Sequence, residues 1–550
     1  MDSRILNIKP ERLNISSLRD IVKLLLNIVE QYWHQLQKNK EEIQALKDEI
    51  NRLKKEQGKP KFKGSKTTEE EEIKGKDSVK KRKNKNHKKG SKKPNIPIDK
   101  IELCQVEKAD LPTDAVFKYY DEIIQQDVEL VRNNVLYKVA VYYSPSMGKT
   151  YRGKMPSAYV GQFGLGLQST TQLLHQYCDV TQGRLEALYK SLGIQISAGT
   201  INNIILGNTD WVIAEQRAIL ESGIASSSFT QIDSTKSVER GVRKATQIIC
   251  GDYFSVFYTM DSKSRLDVIK ALLGKPEEGL SAAYNETTQQ LLAEFGVSAS
   301  DKACLSKLFS LGQVMSLADF EANMKQAAPQ IASKKNMFAR IKESMVLAHY
   351  HTQQDFPIVN TLLSDDAPEY KKIARDQQGL CWLHDNRFYK KLVPKIEIHR
   401  TILDGIQQEY WQFYGQLLDF KEAPPEEQKL LKPLLETEFE RIFSQQTDYF
   451  QVNTCLERTY KNKAKLLAVL DNPALPLHNN AAELEARRIV RKRDISLHTW
   501  SPKGTKVRDA FMSIVQTAQK LGVSALLYIK DRISNNYQMT PLAVLVQRAY

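Results

Sequence analysis

The chain has 550 residues, of which 41% are apolar and 8% aromatic, enough to build a sizeable core and to exclude a wholly disordered protein. At roughly 100–200 residues per domain, this length predicts three or four structural units. The net charge of +15 is concentrated between Lys54 and Lys100, where 18 basic and 7 acidic residues leave +11. The rest of the chain is nearly balanced in charge, so the basicity belongs to one segment that suits a polyanionic partner.

The six cysteines are scattered along the chain and form no Cys-x-x-Cys pair. This distribution indicates reduced thiols in a cytosol-like compartment and no sequence-local zinc knuckle. The first residues lack the apolar segment of a secretory signal peptide, and no run of about 18 apolar residues occurs. We therefore expect a cytoplasmic protein that neither spans a membrane nor is secreted by the usual signal.

A heptad pattern of apolar residues opens the chain. Its positions alternate in steps of four and three, and they are Leu18, Val22, Leu25, Val29, Tyr32, Leu36, Asn39, Ile43, Leu46, Ile50 and Leu53. A period of 3.5 residues keeps one stripe of a helix facing a partner helix, and a polar residue such as Asn39 on that stripe is a common register device. We predict a coiled coil over residues 1–56 that joins copies of the chain. The alternative is a single amphipathic helix packed on its own domain.

Residues 57–100 are rich in Lys, Gly, Ser and Thr, which predicts a basic flexible linker because little apolar surface is available to offset chain entropy. The densest block includes Lys80, Lys81, Arg82 and Lys83. Such a block binds nucleic acid without sequence preference by releasing counterions. A solvated spacer is the alternative interpretation.

Residues 101–225 favour a mostly helical region that binds DNA. Within it, a helical pattern over residues 181–192 is followed by a turn at Gly193 and by a second helical pattern over residues 197–205, which Ser197 is placed to cap. This outline is typical of a helix-turn-helix DNA-binding element. Because an ordinary helical hairpin has the same outline, both interpretations stay open.

An α/β core is predicted over residues 226–505. Short β-branched or aromatic segments predict strands at residues 228–233, 244–250, 253–260 and 356–363. Helical patterns predict insertions into this core at about residues 270–350 and 400–470, with a break at residues 424–425, and a C-terminal helical region over residues 506–550.

Acidic residues lie at the edges of these predicted elements. Asp233 closes the first predicted strand, Asp365 and Asp366 close the last, and Glu483 lies one turn into a helix that residues 479–480 should cap. Carboxylate oxygens are preferred ligands of Mg²⁺ and Mn²⁺. Two such ions about 3.5–4 Å apart can activate the attacking oxygen and stabilise the leaving oxygen of a phosphodiester displacement.

Several separated blocks of the chain resemble transposases of the insertion sequence 66 family. The most specific block is Asn-Asn-Ala-Ala-Glu at residues 479–483, with the residues that follow it: Arg487, Arg488, Arg491, Lys492, Arg493, Trp500, Lys503 and Gly504. Cys-Trp-Leu-His at residues 381–384 is similar to the family's Cys-Trp-Ala-His segment. Ser364-Asp365 resembles the segment with the second catalytic aspartate, and Gln231-Ile232-Asp233 resembles the segment with the first.

The resemblance implies a ribonuclease-H-like catalytic core in which Asp233, Asp365 and Glu483 form an acidic triad that holds two Mg²⁺ or Mn²⁺ ions. Such enzymes hydrolyse a phosphodiester at the end of a mobile element and then use the freed 3′-hydroxyl to attack target DNA. The implied partners are DNA, further copies of the chain joined through the coiled coil, and accessory proteins. The basic residues after Glu483 would contact the DNA backbone, namely Arg487, Arg488, Arg491, Lys492 and Arg493. Near the carboxylates the resemblance places His384 and Asn480.

Four features depart from the family pattern. The position of the family's Cys-x-x-Cys zinc element falls near residues 141–150, which contain no cysteine, so we expect no structural zinc. The residue after the first aspartate is Ser234 where the family usually has Glu. The residue after the second aspartate is Asp366 where the family usually has Gly, which makes Asp366 a rival metal ligand. The interval of 132 residues between Asp233 and Asp365 exceeds the usual one, which predicts an inserted subdomain near residues 275–345.

Two other functions stay open at this stage. One is a catalytically inactive DNA-binding protein descended from a transposase, and the other is a metal-dependent nuclease without strand transfer. His384 also has two interpretations, one as a core histidine beside Trp382 that holds a helix against the sheet, and one as a group near the scissile phosphate.

Overall fold

The computed structural model describes residues 15–53, 97–106, 116–156, 159–207 and 209–550. The residues of the basic block, Lys80, Lys81, Arg82 and Lys83, lie outside the described part of the chain. The chain divides into two compact units, one that combines Met1–Glu30 with Arg132–Tyr550 and one that comprises Gln31–Val131. The finer boundaries drawn from the sequence stay predictions.

The predicted heptad region forms one continuous helix, α1 (Ile15–Leu53). Its apolar heptad residues are exposed, namely Leu18, Val22, Leu25, Val29, Tyr32, Leu36, Ile43 and Leu46. A polar side of the helix is buried instead, where Asn27 donates to the backbone oxygen of Asp448 and accepts from the backbone nitrogen of Phe450, both at 2.9 Å. Glu30, only 1% exposed, accepts a 2.7 Å hydrogen bond from the backbone nitrogen of Lys395. The helix therefore packs on its own unit through a different stripe from the heptad one, and pairing of that stripe with a second chain stays a prediction.

A hairpin and a group of helices precede the main sheet. Strands β1 (Val141–Ser144) and β2 (Lys149–Arg152) pair antiparallel. The helices that follow are α2 (Leu165–Gln176), α3 (Gln182–Ser191), α4 (Ala198–Leu206) and α5 (Asp210–Ser226).

The predicted helical hairpin corresponds to α3 and α4. Ser197 caps α4 by accepting a hydrogen bond from the backbone nitrogen of Thr200 at 3.2 Å, as its sequence position predicts. Gly193 occupies the turn with φ of +76°, a conformation that glycine adopts without steric cost. The helices and their turn agree with the sequence, while a DNA-binding role for this pair stays a prediction.

The main sheet has five strands, in the order β5-β4-β3-β8-β9, of which β8 (Thr361–Ser364) and β9 (Gln377–Leu380) come last in the chain. Its first three strands are antiparallel and consecutive: β3 (Thr230–Glu239), β4 (Val242–Cys250) and β5 (Ser255–Met260). Strands β8 and β9 run parallel to β3 on its other side. The protein is thus a mixed α/β structure with a mixed sheet, which agrees with the α/β fold class.

Two strand boundaries predicted from the sequence are wrong. The strand predicted over residues 356–363 begins only at Thr361. Strand β3 does not end at Asp233, because its pairing with β4 continues to Glu239, opposite Val242. The residues after Asp233 are polar and partly exposed, so they lack the apolar signal of a buried strand even though their backbone groups are paired.

The segment between β5 and β8 contains helices, as predicted, and two short strands that the sequence pattern does not reveal. In chain order its elements are α6 (Arg265–Leu272), β6 (Ser281–Tyr284), α7 (Glu286–Glu294), α8 (Ala299–Leu308), β7 (Gln313–Ser316), α9 (Leu317–Ala327), α10 (Pro329–Ala332) and α11 (Lys335–Thr352). Strands β6 and β7 pair antiparallel with each other. Buried residues of this segment, such as Phe320 and Met345, belong to the same hydrophobic cluster as Ile232 and Val256 of the main sheet.

Strands β8 (Thr361–Ser364) and β9 (Gln377–Leu380) are followed by a helical region with a core of its own. Its helices are α12 (Trp382–Lys390), α13 (Glu397–Glu422), α14 (Pro425–Phe443), α15 (Phe450–Lys461) and α16 (Lys463–Leu466). The break at residues 424–425 separates α13 from α14, as predicted. Trp382 lies at the centre of this second core, fully buried among Tyr410, Phe413 and Phe439.

The last helices return to the main sheet. They are α17 (Asn480–Ser496), α18 (Pro502–Lys520), α19 (Ala525–Ile533) and α20 (Leu542–Ala549). Ala486 and Ile489 of α17 pack on Ile248 and Phe257 of the sheet. Since Ile248 is the cross-strand partner of Asp233, α17 covers the face of the sheet that carries Asp233. Among the described residues, no helix is both long and apolar enough to cross a membrane.

Candidate active site

Asp233 lies on β3, and Asp365 directly follows the last residue of the neighbouring parallel strand β8. Strands β3 and β8 pair in a register that places Gln231 beside Leu363, and each aspartate comes two residues later in its chain. Because side chains two residues apart point to the same face, both carboxylates follow the strands toward the same region of the sheet. The geometry thus brings together two residues that are 132 positions apart in the sequence.

Local hydrogen bonds orient both aspartates. An oxygen of Asp233 accepts a 2.7 Å hydrogen bond from the backbone nitrogen of Ser234. An oxygen of Asp365 accepts a 3.1 Å hydrogen bond from the backbone nitrogen of Ala367, which fixes the side chain in the turn just after β8. In each case one carboxylate oxygen is held by the backbone, which restricts the orientation of the group.

Glu483 reaches these aspartates because the start of α17 is fastened to β3. Asn479 is 1% exposed, and its side-chain nitrogen donates a 2.8 Å hydrogen bond to the backbone oxygen of Ile232. The backbone nitrogen of Asn479 donates to the thiol sulfur of Cys381 at 3.3 Å. The predicted side-chain cap is therefore wrong: Asn479 stands at the cap position, but its amide bonds the strand rather than the helix.

The pKa of Asp233 reflects its burial and the nearby charges of Asp365 and Glu483. This pKa is raised to about 6, first by burial and then by the negative charges of Asp365 and Glu483. The hydrogen bond from Ser234 and the charge of Lys263 oppose the shift. A cation placed between these carboxylates would relieve both the desolvation and the repulsion.

Glu483 is surrounded by basic groups. Nη2 of Arg387 lies 3.3 Å from both of its carboxylate oxygens, and Nδ1 of His384 lies 3.5 Å from Oε1. Arg487, one turn further along α17, lies 4.0 Å away. These groups hold the Glu483 side chain, which is only 17% exposed, in one direction.

His384 is neither a simple core residue nor fully exposed. Burial and the positive charge of Arg387 lower its pKa, while the charges of Glu483 and Asp365 raise it, with a net lowering. Its ring faces the same cavity as Asp365, which shows that the Cys-Trp-Leu-His segment lines the site. Trp382, two residues earlier, is the member of the segment that is packed in a core.

Asp366 points into a different set of contacts. Nη2 of Arg458 lies 2.9 Å from one Asp366 oxygen, and the side-chain nitrogen of Asn462 lies 3.4 Å from the same oxygen. Lys371 lies 3.7 Å from the other oxygen. Asp366 is therefore occupied by three side chains on the helical side of the cavity, whereas no such cation is bonded to Asp365 among the described residues.

Arg458 links the carboxylate turn to the helical region. Besides Asp366 it contacts Asp385 at 3.0 Å, and its guanidinium lies 3.5 Å from the ring centre of Phe388. Asp385 is 5% exposed and also accepts a 2.7 Å hydrogen bond from Thr459. This buried network is not visible in the sequence, because Arg458 lies in an ordinary amphipathic helix pattern with no motif around it.

A cavity of about 310 Å³ opens between these groups. It is lined by Asp365, Asp366, Ala367, Leu380, Cys381, His384, Asp385, Arg387, Phe388, Lys391 and Arg458. The lining combines carboxylates with three cations, Arg387, Lys391 and Arg458, so it can accept a phosphate group beside the acidic residues.

The donor atoms suit a hard divalent cation. Asp233, Asp365 and Glu483 supply only carboxylate oxygens, the ligands preferred by Mg²⁺ and Mn²⁺. Cys381, His384 and Glu483 also offer one ligand atom each within 4.8 Å of one another. Burial raises the pKa of the Cys381 thiol, however, and a protonated thiol is a poor metal ligand. The carboxylate set is therefore the better candidate metal site.

Only some of the α17 residues that were predicted to contact DNA are exposed. Arg487 and Arg491 are exposed, Arg488 pairs with Glu485 at 3.1 Å, and Arg493 donates to the backbone oxygen of Lys236 at 2.6 Å. Lys492 does not belong to this face.

Lys492 is 6% exposed and donates to the backbone oxygen of His175 at 2.6 Å and to Asp179 at 3.2 Å. Burial lowers its pKa. Its ammonium therefore fastens α17 to α2 rather than pointing to solvent, because position 492 falls on the buried stripe of the helix beside Ile489.

Asn480 differs from its neighbour Asn479. It is exposed at the first position of α17, whereas Asn479 carries the bond to the sheet. Asn480 was the residue predicted from the sequence to lie near the site, and both asparagines were predicted to cap the helix. Only the packing of the helix on β3 distinguishes the two.

Comparisons with known proteins bear on the same region. Residues 336–507 match the family described as Transposase IS66 family. The matched segment includes Asp365 and Glu483 and begins after Asp233. The chain is also 27% identical, over 339 residues, to an uncharacterized protein, y4jO, of Sinorhizobium fredii, which covers 60% of this chain and 99% of that protein. No solved structure shows a significant match.

Proposed function

Because residues 336–507 carry a transposase domain of the IS66 family, we propose that this protein is a DNA transposase that binds the ends of a mobile element and both cuts and joins DNA strands. The reaction is phosphodiester hydrolysis followed by strand transfer at Asp233, Asp365 and Glu483. The observation that supports the proposal is that Asp365 and Glu483 lie near enough to Asp233 for their charges to raise its pKa. The parallel register of β3 and β8 aligns the two aspartates, and the bond from Asn479 to Ile232 brings Glu483 beside them.

A ribonuclease-H-like core is part of this proposal. Its support is a five-stranded sheet in which three antiparallel strands are followed by two parallel ones, with an aspartate on the first strand and another just after the fourth. A helix that carries the third carboxylate covers the same face. The helices between β9 and α17 then form an insertion with its own core around Trp382.

Two Mg²⁺ or Mn²⁺ ions are the proposed cofactors, held by Asp233, Asp365 and Glu483. When bound, such ions activate the attacking oxygen and stabilise the leaving oxygen of a phosphodiester. The support is the donor set and the raised pKa of Asp233, to which burial contributes most and the charges of Asp365 and Glu483 also contribute.

Asp365 rather than Asp366 is the proposed second ligand. Asp366 already has contacts with Arg458, Asn462 and Lys371, and turning it toward Asp233 would leave Arg458 with one carboxylate fewer. Arg387 and His384 are proposed to orient Glu483, since they lie 3.3 and 3.5 Å from its oxygens. Phosphoryl transfer depends mainly on such positioning and on neutralisation of charge.

DNA binding is proposed to use several basic surfaces. Arg487 and Arg491 lie on the exposed side of the helix that carries Glu483, so a backbone held there would pass close to the carboxylates. The pair α3 and α4 is proposed as the helix-turn-helix element, and the block from Lys80 to Lys83 as a sequence-independent contact. The exposed heptad stripe of α1 is proposed to join copies of the chain in a coiled coil, and we place this activity in the cytoplasm.

The test is strand cleavage and joining with DNA that carries the ends flanking the gene. Glu483→Gln and Asp233→Asn should each reduce Mg²⁺-dependent cleavage at least about 100-fold while DNA affinity stays within about twofold, because the charge is lost from the metal site and not from the DNA-contacting face. Asp494→Asn, an exposed change on the same helix, is the matched control and should leave cleavage unchanged.

Three other outcomes would contradict the proposal in different ways. If the unaltered protein binds these ends without cutting them, it is a DNA-binding descendant of a transposase. If it cuts but yields no joined product, it is a nuclease. If Glu483→Gln cuts as well as the parent protein, the acidic triad is wrong.

A further inference from the structure

Helix α17 and strand β3 run side by side in the same direction away from the carboxylates. At the near end, Asn479 bonds the backbone oxygen of Ile232. Further along, Arg493 bonds the backbone oxygen of Lys236 at 2.6 Å. At the far end, the backbone nitrogen of Thr499 donates to the backbone oxygen of Val238 at 3.2 Å. Together, residues 483–499 and 233–239 form one continuous surface, called the ledge below, which begins at Glu483 and Asp233.

The length of this ledge follows from the geometry of its elements. The 13 residues from Glu483 to Ser496, at about 1.5 Å each, span roughly 20 Å. The six residues from Asp233 to Glu239, at about 3.3 Å each, span roughly the same distance. The far end of the ledge is thus about 20 Å from the acidic residues.

An exposed tryptophan stands at that far end. Trp500 is 76% exposed in the turn between α17 and α18, and its ring meets the ring of His498 edge-on at 4.5 Å. Single exposed apolar residues are common on protein surfaces, so exposure alone indicates nothing. Two further observations distinguish Trp500.

The first observation is that the backbone under Trp500 is fixed. The backbone nitrogen of Arg240 donates to the oxygen of Thr499 at 2.8 Å, so the turn is bonded to the tip of the β3–β4 hairpin from both sides. Leu497 has φ of +62°, a left-handed conformation that is costly for a residue with a side chain. A turn that is bonded and strained in this way presents Trp500 to solvent in a defined place.

The second observation is the charge around the turn. Arg240 and Arg243 at the hairpin tip and Lys503 after the turn are exposed, and among the described residues none of the three has an ion pair. The nearby Glu239 is already bonded by Thr505 and faces Lys244. An aromatic ring among free cations suits a ligand that combines a π-face with negative charge, which is the chemistry of a nucleotide in DNA.

We propose that Trp500 is a stacking site for an unpaired base of the bound DNA, about six base pairs from the phosphate that is cut. The distance is the 20 Å length of the ledge divided by the roughly 3.4 Å rise per base pair. Arg240, Arg243 and Lys503 hold the backbone on either side of that base. The inference rests on the proposed function for the binding of DNA and for the position of the cut.

The test is a double-mutant cycle between protein and DNA. A duplex of about 30 base pairs carries either one unpaired thymine or one abasic site at a single position, and that position is moved from four to eight base pairs from the cleavage end. Affinities are measured without divalent metal, so that no cutting occurs, and at about 0.3 M salt to weaken the phosphate contribution of the basic segment. The proteins are the full chain, Trp500→Ala, Trp500→Phe and the control Tyr460→Ala, which removes another exposed aromatic ring.

The unaltered chain and Trp500→Phe should prefer the thymine over the abasic site by about 5-fold or more at one position near six base pairs. Trp500→Ala should lose this preference, and Tyr460→Ala should keep it. A preference that Trp500→Ala retains, or that is below about fivefold at all positions, would overturn the inference. A change of molecular mass in Trp500→Ala would also overturn it, because Trp500 would then belong to a contact between chains.

The outcome is separable from that of the proposed function. If Trp500→Ala loses the preference but the unaltered chain does not cleave DNA, the stacking site is supported and the transposase activity is contradicted. Normal cleavage without any base preference would remove only the stacking site.

Discussion

The side chain of Asn479 donates a 2.8 Å hydrogen bond to the backbone oxygen of Ile232, the residue immediately before Asp233. This one bond joins the start of the helix that carries Glu483 to the strand that carries Asp233. The amide is almost fully buried, so water does not compete with it. Because Asn479 begins the helix of Glu483 and Ile232 adjoins Asp233, this bond helps to set the distance between Glu483 and Asp233.

Asn479→Ala should reduce both stability and cleavage. The buried oxygen of Ile232 would lose its partner, which costs about 1–3 kcal/mol of unfolding free energy, and Glu483 would lose its anchor to the strand. Urea unfolding measures the first effect and the Mg²⁺ concentration for half-maximal cleavage measures the second. Asn480→Ala removes an exposed amide at the next position and should change stability by less than about 0.5 kcal/mol. Equal effects of the two changes would contradict the role of the bond.

Asp233→Asn should stabilise the metal-free protein above pH 6. The folded pKa of Asp233 is raised to about 6 from the ordinary value of 3.8, chiefly by burial. Between these values the folded state binds more protons than the unfolded state, so the Asp233 contribution lowers stability as pH rises and reaches its full cost above pH 6. The variant should equal the parent near pH 4 and exceed it at pH 8, by no more than about 3 kcal/mol.

Thermal unfolding at both pH values checks this difference. Added Mg²⁺ should raise the unfolding temperature of the parent protein at pH 8 and raise that of Asp233→Asn less, because ligand binding to the folded state stabilises it. Equal stabilisation of both proteins by Mg²⁺ would count against a metal ligand at Asp233.

Substitutions at the adjacent aspartates should have different effects. Asp365→Asn should abolish metal-dependent cleavage with little loss of stability, since few side chains contact it. Asp366→Asn should retain most cleavage but lower stability by about 1–3 kcal/mol, because Arg458 loses a charged partner. Cleavage assays and urea unfolding of both variants give the comparison. The reverse pattern, with Asp366→Asn inactive and stable, would make Asp366 the ligand.

Substitutions of two neighbouring basic residues on α17 should affect different properties, DNA binding in one case and stability in the other. Arg491→Ala should weaken DNA binding and reduce the slope of log affinity against log salt by about one, as expected for one lost phosphate contact. Lys492→Ala should instead lower the unfolding free energy by about 1–3 kcal/mol, because Asp179 and the backbone oxygen of His175 lose their partner. A salt slope that changes in Lys492→Ala and not in Arg491→Ala would show that the wrong face was assigned.

The heptad stripe of α1 makes a prediction about oligomers. Leu25→Lys places a charge on the exposed stripe and should prevent self-association, whereas Gln31→Lys, exposed and outside the stripe, should not. Light scattering of the full chain gives the mass of each variant. An unchanged mass in Leu25→Lys would remove the coiled-coil proposal.

The N-terminal helix illustrates which structural features a local apolar period can predict. Its 3.5-residue apolar period predicted a helix over the right residues, and helices α3 and α4 were also correct with Ser197 as the cap. Such features depend on neighbours three or four positions away, so they are written in short stretches of sequence. Strand β3 was predicted too short because its polar second half is held by backbone pairing, which leaves no apolar signal. Strands β6, β7 and β9, of four residues each, were missed because they lack the longer apolar run that revealed β8, a strand of the same length.

The candidate site likewise has some features that the local sequence predicts and others that it does not. The sequence by itself determined the residue types, in that Asp233, Asp365 and Glu483 were singled out from the edges of apolar elements and from short motifs. Only the tertiary structure decided that Asp366 faces Arg458, that Lys492 is buried against Asp179, and that Asn479 bonds the sheet rather than its own helix. Each of these depends on a partner between 92 and 313 positions away. A side chain's environment is set by the packing of distant segments, and no local period of the sequence records it.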